Sequence, residues 1–268
     1  MEPKPEPVKY QFVDCRWELA DADAGRRAYL AGHVPGASFL DVDADLSDLS
    51  VPDAGRHPLP SAERFAAAAG RAGIGAGVFV VAYGSGGGPE RLWWLLRHFG
   101  HDDCAVLIGG IDEWGGELRA GEEDVEPREF VPRERDGDTI EADELVRLLA
   151  EQQAGSAAGE AGDARREGRP PAAPGALALV DARAASRWRG EPNPIDNPPG
   201  RIPGAANAPW MEPLPELPPG ELVAYCGSGV TACITLHRAW LAGREGRLYP
   251  GSWSEWSKRG LPVERGKG

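Results

Sequence analysis

The chain has 268 residues, which at about 150 residues per domain predicts roughly two domains. Its 41% hydrophobic and 26% charged residues exclude a wholly disordered protein, and its net charge of −13 argues against general binding to nucleic acids or to anionic membrane surfaces. No run of about 18 apolar residues exists, and residues 1–12 lack the apolar core of a signal peptide, so we expect a cytoplasmic protein.

The first half of the chain alternates strand and helix patterns. An apolar, β-branched run at 78–81 ends in a Gly/Ser loop, and the helical pattern LWWLL follows at 92–96. A short apolar run lies at 105–108. Because strands that alternate with helices form parallel sheets, this region predicts an α/β domain with helices on both faces of its sheet.

The middle of the chain separates two regions of this kind. A charged segment at 123–138 is predicted to link a first domain at 1–122 to a second at 139–268. Residues 151–175 contain almost no large apolar side chains and cannot bury enough surface to offset their ordering entropy. We therefore predict a mobile insertion there.

The second half repeats the order of short strings found in the first. The matching strings are VDCR at 13–16 with VDAR at 180–183, HVPGA at 33–37 with RIPGA at 201–205, AY at 82–83 with AY at 224–225, and EW at 113–114 with EW at 255–256. Since the order of all four is kept, the sequence predicts two copies of one fold.

The four cysteines are too few for a disulfide framework and show neither a CxxC pair nor the spacing of a zinc site. They are Cys15, Cys104, Cys226 and Cys233. We predict reduced thiols and no bound metal. The count alone leaves open whether one of them is reactive.

The string CGSGVTAC at 226–233 stands where a predicted strand ends and a helix begins. In a parallel α/β sheet, this is the edge where ligands bind. Gly227 and Gly229 allow successive backbone N–H groups to point inward, and the helix start adds the positive end of its dipole. Such a nest favours an anion, so Cys226 is predicted to be held as a thiolate and to serve as a nucleophile.

Other interpretations of Cys226 stay open at this point. An isolated cysteine after a strand is more often a small buried hydrophobic residue, which is our expectation for the other three. A cysteine phosphatase would carry an arginine six positions after the nucleophile, where this chain has Ala232, so that chemistry is disfavoured. Papain-like acyl transfer needs a histidine base, and any of the five histidines would be available.

These strings resemble those of the rhodanese superfamily, and over nearly the whole chain they resemble its two-domain sulfurtransferases, most closely the 3-mercaptopyruvate sulfurtransferases. The strings that carry the resemblance are HVPGASF at 33–39, RLWW at 91–94, DAR at 181–183, RWRG at 187–190, IPGA at 202–205, CGSGVTAC at 226–233 and GSWSEW at 251–256. The resemblance implies two tandem rhodanese-like domains, each a parallel sheet flanked by helices on both faces. It also implies that the second copy is catalytic and the first, whose loop lacks a cysteine, is an inactive duplicate. The active site is then expected between the two.

The same resemblance implies the chemistry. Cys226 would take sulfur from 3-mercaptopyruvate as a persulfide, release pyruvate, and pass the sulfur to cyanide or to a thiol such as thioredoxin or a low-molecular-weight thiol, without a cofactor. A relay of Ser228, His57 and Asp43 would protonate the departing enolate. Arg187 matches the arginine that binds the substrate carboxylate. The remaining positions expected to contact substrate are Gly227, Gly229, Val230 and Thr231.

Two comparisons with the resembling families bear on the choice of sulfur donor. Where some relatives carry a second substrate arginine, this chain reads EPNPI at 191–195, which leaves Arg189 or Arg201 as candidates to compensate. Thiosulfate-preferring relatives carry basic residues just after the cysteine, whereas Gly227 and Ser228 favour 3-mercaptopyruvate. A thiosulfate:cyanide sulfurtransferase and a non-catalytic persulfide carrier remain as alternatives.

Overall fold

The structure is a computed structural model that describes residues 9–160 and 176–266. Its chain contacts divide it into two units. The first contains residues up to 50 together with 59–135, and the second contains 51–58 together with the chain from 136 onward. The short segment 51–58 therefore groups with the second unit, although it lies within the first half of the sequence. The predicted linker at 123–138 stays a prediction.

The first unit is a parallel four-stranded sheet flanked by helices, with strand order β2-β1-β3-β4. Its strands are β1 (Lys9–Asp14), β2 (Ser38–Phe39), β3 (Val78–Tyr83) and β4 (Cys104–Val106), and its helices are α1 (Ala24–Ala31), α2 (Ala62–Arg71) and α3 (Gly88–His98), followed by a 3-10 turn at Gly110–Glu113. The Ser61 side chain accepts the backbone N–H of Arg64 and so begins α2, which buries Phe65. The apolar run predicted at 78–81 forms β3, which lies inside the sheet between β1 and β4.

The second unit has the same architecture, with strand order β6-β5-β7-β8. Its strands are β5 (Leu177–Asp181), β6 (Ala206–Asn207), β7 (Glu221–Tyr225) and β8 (Gly246–Leu248), and its helices are α4 (Ala142–Glu160), α5 (Ala185–Trp188), α6 (Ala232–Leu241) and α7 (Ser252–Lys258). The two central strands, β5 and β7, are largely apolar and are buried along their length except at Glu221, as expected for strands covered on both faces. Trp253 and Trp256 of α7 are fully buried in the same core.

The segment predicted as a mobile insertion is only partly described. Residues 151–160 continue helix α4, while 161–175 lie outside the described residues. In the part of the chain that the structure covers, no helix combines the length and apolar character needed to cross a membrane.

The repeat predicted from the sequence extends to individual hydrogen bonds. In each unit a tyrosine hydroxyl accepts the backbone N–H of the residue just before the Pro-Gly-Ala string: Val34 donates to Tyr83 and Ile202 donates to Tyr225, both at 3.1 Å. In each unit an aspartate at the end of a central strand binds the arginine two residues later, as the pairs Asp14–Arg16 and Asp181–Arg183. The predicted α/β fold with two copies of one parallel sheet is confirmed.

Candidate active site

Cys226 follows β7 directly, and the loop 226–231 leads from it to α6. Since β7 lies between β5 and β8, the loop is at the carboxyl edge of the sheet, near its centre. Two backbone contacts fix its first residue: the Cys226 N–H donates to Ser252 Oγ at 3.1 Å, and the Cys226 carbonyl accepts the Trp253 N–H at 3.0 Å. Ser252, whose φ of +52° is unusual for a residue other than glycine, is a contributor that the sequence reasoning missed.

The loop curls around the sulfur of Cys226. The N–H groups of Gly229 and Ser228 point at Sγ, at 3.1 and 3.5 Å. Gly229 has a φ of +83°, and a Cβ there would lie 2.6 Å from the Pro250 carbonyl oxygen, so only glycine fits this turn. Val230 is buried, and Thr231 is the residue immediately before α6. Backbone donors directed at a sulfur stabilise its anionic form, which is the arrangement that a nucleophilic cysteine needs.

The other three cysteines lie in different surroundings. Burial raises the pKa of the Cys104 thiol to about 12 and raises the pKa of Cys15 well above its ordinary value. Cys233 is buried in α6, where its thiol donates to the Gly229 carbonyl at 3.3 Å. A raised pKa keeps the thiols of Cys15 and Cys104 protonated near neutral pH, which makes them poor nucleophiles. Within residues 9–160 and 176–266, no group of three or more His, Cys, Asp or Glu side chains is placed to hold a metal ion.

Arg187, at the end of α5, is held by Asp196. Its Nε and Nη2 donate to the two carboxylate oxygens at 2.7 and 2.6 Å, and Arg183 contacts the same carboxylate at 3.2 Å. Burial opposes the ionisation of Asp196, but Arg187, with smaller contributions from the charges of Arg183 and Arg56, outweighs it and holds the pKa of Asp196 below the usual range. The arginine predicted to bind the substrate carboxylate is therefore already paired with one carboxylate, which fixes its orientation.

Arg56 lies beside Arg187, next to the cysteine loop. A Cβ built at Gly227 would lie 2.9 Å from Nη2 of Arg187 and 3.1 Å from Nη2 of Arg56. Burial, and then the charge of Arg187, lower the pKa of Arg56, while Cys226 acts in the opposite direction. The sequence reasoning missed this residue. The one sequence feature that could have indicated a role for Arg56 is that it directly precedes His57, a predicted relay residue.

Comparison with known proteins identifies the family. A family model described as Rhodanese-like domain matches residues 4–117 and 168–259. The chain belongs to the rhodanese family. SseB of Mycobacterium tuberculosis, provisionally named a thiosulfate sulfurtransferase, is 35% identical over 97% of this chain and 92% of that protein. The 3-mercaptopyruvate sulfurtransferase of Rattus norvegicus is 35% identical over 98% of this chain and 90% of the rat protein.

Solved structures agree with this membership. The 3-mercaptopyruvate sulfurtransferase from Leishmania major superposes with a TM-score of 0.71 at 30% identity, and the match covers 93% of this chain and 70% of that one. With relatives of this kind matched over nearly its full length, the chain is a sulfurtransferase with two rhodanese-like domains.

The structure places two members of the predicted relay in the unit that carries Cys226. Ser228 and His57 are both buried, the former in the cysteine loop and the latter in the segment 51–58. Asp43 belongs to the first unit, in the loop after β2, where its backbone N–H donates to Asp41 at 2.8 Å. The relay of all three residues stays a prediction.

The two arginines considered as compensating residues are engaged elsewhere. Arg189 pairs with Glu191 on the surface. Arg201 is buried, pairs with Glu264, and stacks over the ring of Trp188 with 3.9 Å between its guanidinium carbon and the ring centroid. Beside Gly227, the fold instead brings the guanidinium of Arg56 next to that of Arg187.

Proposed function

We propose that this sulfurtransferase takes sulfur from 3-mercaptopyruvate, carries it as a persulfide on Cys226, and releases pyruvate. The observation that carries the proposal is the cradle of Cys226, whose Sγ receives the N–H groups of Ser228 and Gly229 at the carboxyl edge of the central strand. The relatives from rat and Leishmania major are named for this donor, which supports its choice.

The first half-reaction needs a thiolate and a proton source. The Cys226 thiolate attacks the thiol sulfur of 3-mercaptopyruvate, so that an S–S bond forms and the C–S bond breaks. The electron pair of that bond passes to the pyruvate enolate, which must then be protonated at carbon. We assign this proton delivery to Ser228 and His57, with Asp43 orienting the imidazole. Both Ser228 and His57 are in the same unit as Cys226.

The donor is held by its carboxylate and by the loop. Arg187 retains N–H groups on Nη1 and Nη2 beyond those given to Asp196, and its Nη2 lies beside Gly227. The residues that line the approach to the sulfur are proposed to be Gly227, Gly229, Val230 and Thr231. Because residue 227 has no side chain, a donor can approach the guanidinium group and the thiolate together.

In the second half-reaction, an acceptor attacks the outer sulfur of the persulfide and returns Cys226 to the thiolate. The acceptors proposed are cyanide and thiols, either a low-molecular-weight thiol or a thiol protein such as thioredoxin. All four cysteines of the chain are free thiols, which supports a reducing compartment such as the cytoplasm.

The decisive test is pyruvate release from 3-mercaptopyruvate by wild type and by Cys226→Ser, with excess thiol as acceptor. We expect the substitution to lower turnover at least about a thousandfold, since the nucleophile is lost. Cys233→Ser is the matched control, because that thiol lies seven positions on and should be dispensable. Activity that persists in Cys226→Ser would assign the nucleophile to another thiol, and a folded wild type without turnover of any donor would favour a persulfide carrier.

The relay is tested by comparing two donors. Ser228→Ala and His57→Ala should slow 3-mercaptopyruvate turnover about 10- to 100-fold more than thiosulfate turnover, because sulfite leaves without protonation at carbon. Equal losses with both donors would remove the relay from the mechanism.

Thiosulfate is the second candidate donor. Two guanidinium groups beside Gly227 would also hold a dianion, and the Mycobacterium tuberculosis relative bears a thiosulfate name. Thiocyanate formation from thiosulfate and cyanide, measured beside pyruvate release, separates the two. A higher kcat/KM with thiosulfate than with 3-mercaptopyruvate would make thiosulfate the preferred donor.

A further inference from the structure

Arg56 brings a second positive charge to the cysteine loop. Its Nη2 and that of Arg187 lie 3.1 and 2.9 Å from the point where a side chain of residue 227 would begin. Two guanidinium groups repel each other, and the charge of Arg187 contributes to the lowered pKa of Arg56. Such an arrangement is stabilised when an anion lies between the two groups.

The two arginines differ in how their charge is compensated. Arg187 is neutralised by the bidentate pair with Asp196, and that carboxylate also contacts Arg183. Among the residues that the structure describes, the guanidinium of Arg56 has no carboxylate within ion-pair distance, and its buried Nε has no hydrogen-bond acceptor. Arg56 therefore supplies most of the uncompensated positive charge beside Gly227.

The position of Arg56 is fixed by its backbone. The Arg56 N–H donates to Ser254 Oγ at 2.9 Å, and Ser254 in turn donates its own N–H to the Gly227 carbonyl at 3.0 Å. Gly55 is packed so closely that a Cβ there would lie 2.5 Å from the Gly251 carbonyl oxygen. Arg56 and the cysteine loop are thus tied to the same residue, Ser254, at the start of α7.

We propose that Arg56 binds the anionic group of the sulfur donor, with Arg187 as its partner, and so determines the preference for an acidic donor. The inference rests on the proposed function, in which that anionic group is the carboxylate of 3-mercaptopyruvate. Arg187, already shared with Asp196, orients the carboxylate, and Arg56 supplies the charge that attracts it.

The first experiment is the steady-state kinetics of Arg56→Gln, Arg56→Lys and Arg189→Gln with 3-mercaptopyruvate. Arg56→Gln should raise KM about 10- to 100-fold, the loss expected for hydrogen bonds to a charged group, while kcat changes by less than about threefold. Arg56→Lys should recover part of the affinity, because it restores the charge. Arg189→Gln removes the same charge from the same unit and should leave KM unchanged.

The second experiment does not depend on a sulfur donor. Iodoacetate and iodoacetamide both alkylate a thiolate, but only iodoacetate carries a carboxylate. The rate with iodoacetate divided by the rate with iodoacetamide, measured at Cys226, therefore reports the attraction of an anion to the site. Arg56→Gln should lower this ratio about tenfold, and Arg189→Gln should not change it. The rates are followed on the peptide that contains Cys226 by mass spectrometry.

The outcomes separate this inference from the proposed function. An unchanged alkylation ratio and unchanged KM in Arg56→Gln would overturn the role of Arg56, even if wild type turns over 3-mercaptopyruvate. A lowered ratio in a protein that does not use 3-mercaptopyruvate would keep Arg56 as an anion-binding residue and overturn the donor. Equal falls in the rates of both alkylating agents would also contradict the inference, because they would report a structural role.

Discussion

The loop that carries Cys226 and its counterpart in the first unit share a backbone plan but not a capacity for chemistry. Each follows a central strand that ends in tyrosine, and each leads into a helix. Each also contains a left-handed glycine, Gly229 with φ +83° and Gly87 with φ +90°. Where the second unit has Cys226, the first has Gly84, with φ +141°, and a Cβ there would lie 2.6 Å from the Arg16 backbone nitrogen.

The rest of the first loop packs equally closely against the backbone of residues 15–17. A Cβ on Gly86 would lie 2.4 Å from the Trp17 carbonyl oxygen, and one on Gly88 would lie 2.0 Å from the Cys15 carbonyl oxygen. The first unit therefore has no thiol in this loop, and the loop has no room for one. Both units thus keep the strand-to-helix turn with its left-handed glycine, whereas a nucleophilic cysteine also needs space for its side chain within that turn.

The largest difference predicted between the units concerns their shared Asp–Arg pair. Both side chains of Asp181–Arg183 are fully buried, whereas the Arg16 side chain is 16% exposed. Asp14 is as fully buried as Asp181, but Arg183 also pairs with a second buried carboxylate, that of Asp196. Arg183→Gln should cost about 3–5 kcal/mol of unfolding free energy, because it leaves Asp181 unpaired in a fully buried site and removes one of the arginines bound to Asp196. Arg16→Gln should cost clearly less, because only one carboxylate loses its partner and the site is partly exposed. Midpoints of urea unfolding measure both. Arg147→Gln, which breaks an exposed ion pair on α4, is the control, and its unfolding free energy should stay within about 0.5 kcal/mol of wild type. Equal losses for Arg183→Gln and Arg16→Gln would contradict the comparison.

The second prediction attempts to transplant the nucleophile. Gly84→Cys in the Cys226→Ser background should restore no sulfur transfer, and should lower the unfolding free energy by about 2–4 kcal/mol because the new Cβ meets backbone. Gly36→Cys is the matched control: its φ is +78°, but its Cβ would meet nothing within 4 Å, so it should show the smaller cost of conformational strain alone. Recovered pyruvate release in Gly84→Cys would show that the first loop can open.

The smallest predicted effect concerns Asp196. Its carboxylate binds both Arg183, which belongs to the Asp–Arg pair found in each unit, and Arg187. The pKa of Asp196 is depressed in the folded protein, so its contribution to stability is present above the ordinary carboxyl pKa and is lost as the pH falls through the folded value. Asp196→Asn should therefore cost about 1–2 kcal/mol at pH 7 and progressively less below about pH 4. Urea midpoints of both proteins between pH 7 and pH 3 test this, and a difference that is independent of pH would exclude the ionised pair as its cause.

The sequence by itself determined the features that are local in the chain. The apolar runs at 78–81 and 222–224 are typical of strands in a parallel sheet, and the ordered repeat of short strings predicted two copies of one fold. The cradle of Cys226 was also predictable, because its donors, Ser228 and Gly229, lie within three residues of the sulfur. Turn geometry and backbone hydrogen bonding depend on neighbouring residues, and a sequence pattern records those directly.

Only the tertiary structure decided which distant side chains meet. It grouped the segment 51–58 with the second unit and brought Arg56 to Arg187, where sequence reasoning had considered Arg189 and Arg201. It also paired Arg187 with Asp196, nine residues away in the sequence. The physical reason is that a guanidinium group has no local signature: its partner is set by packing between segments far apart in the chain, and Arg56 reaches the cysteine loop because Ser254 and Gly55 fix its backbone there.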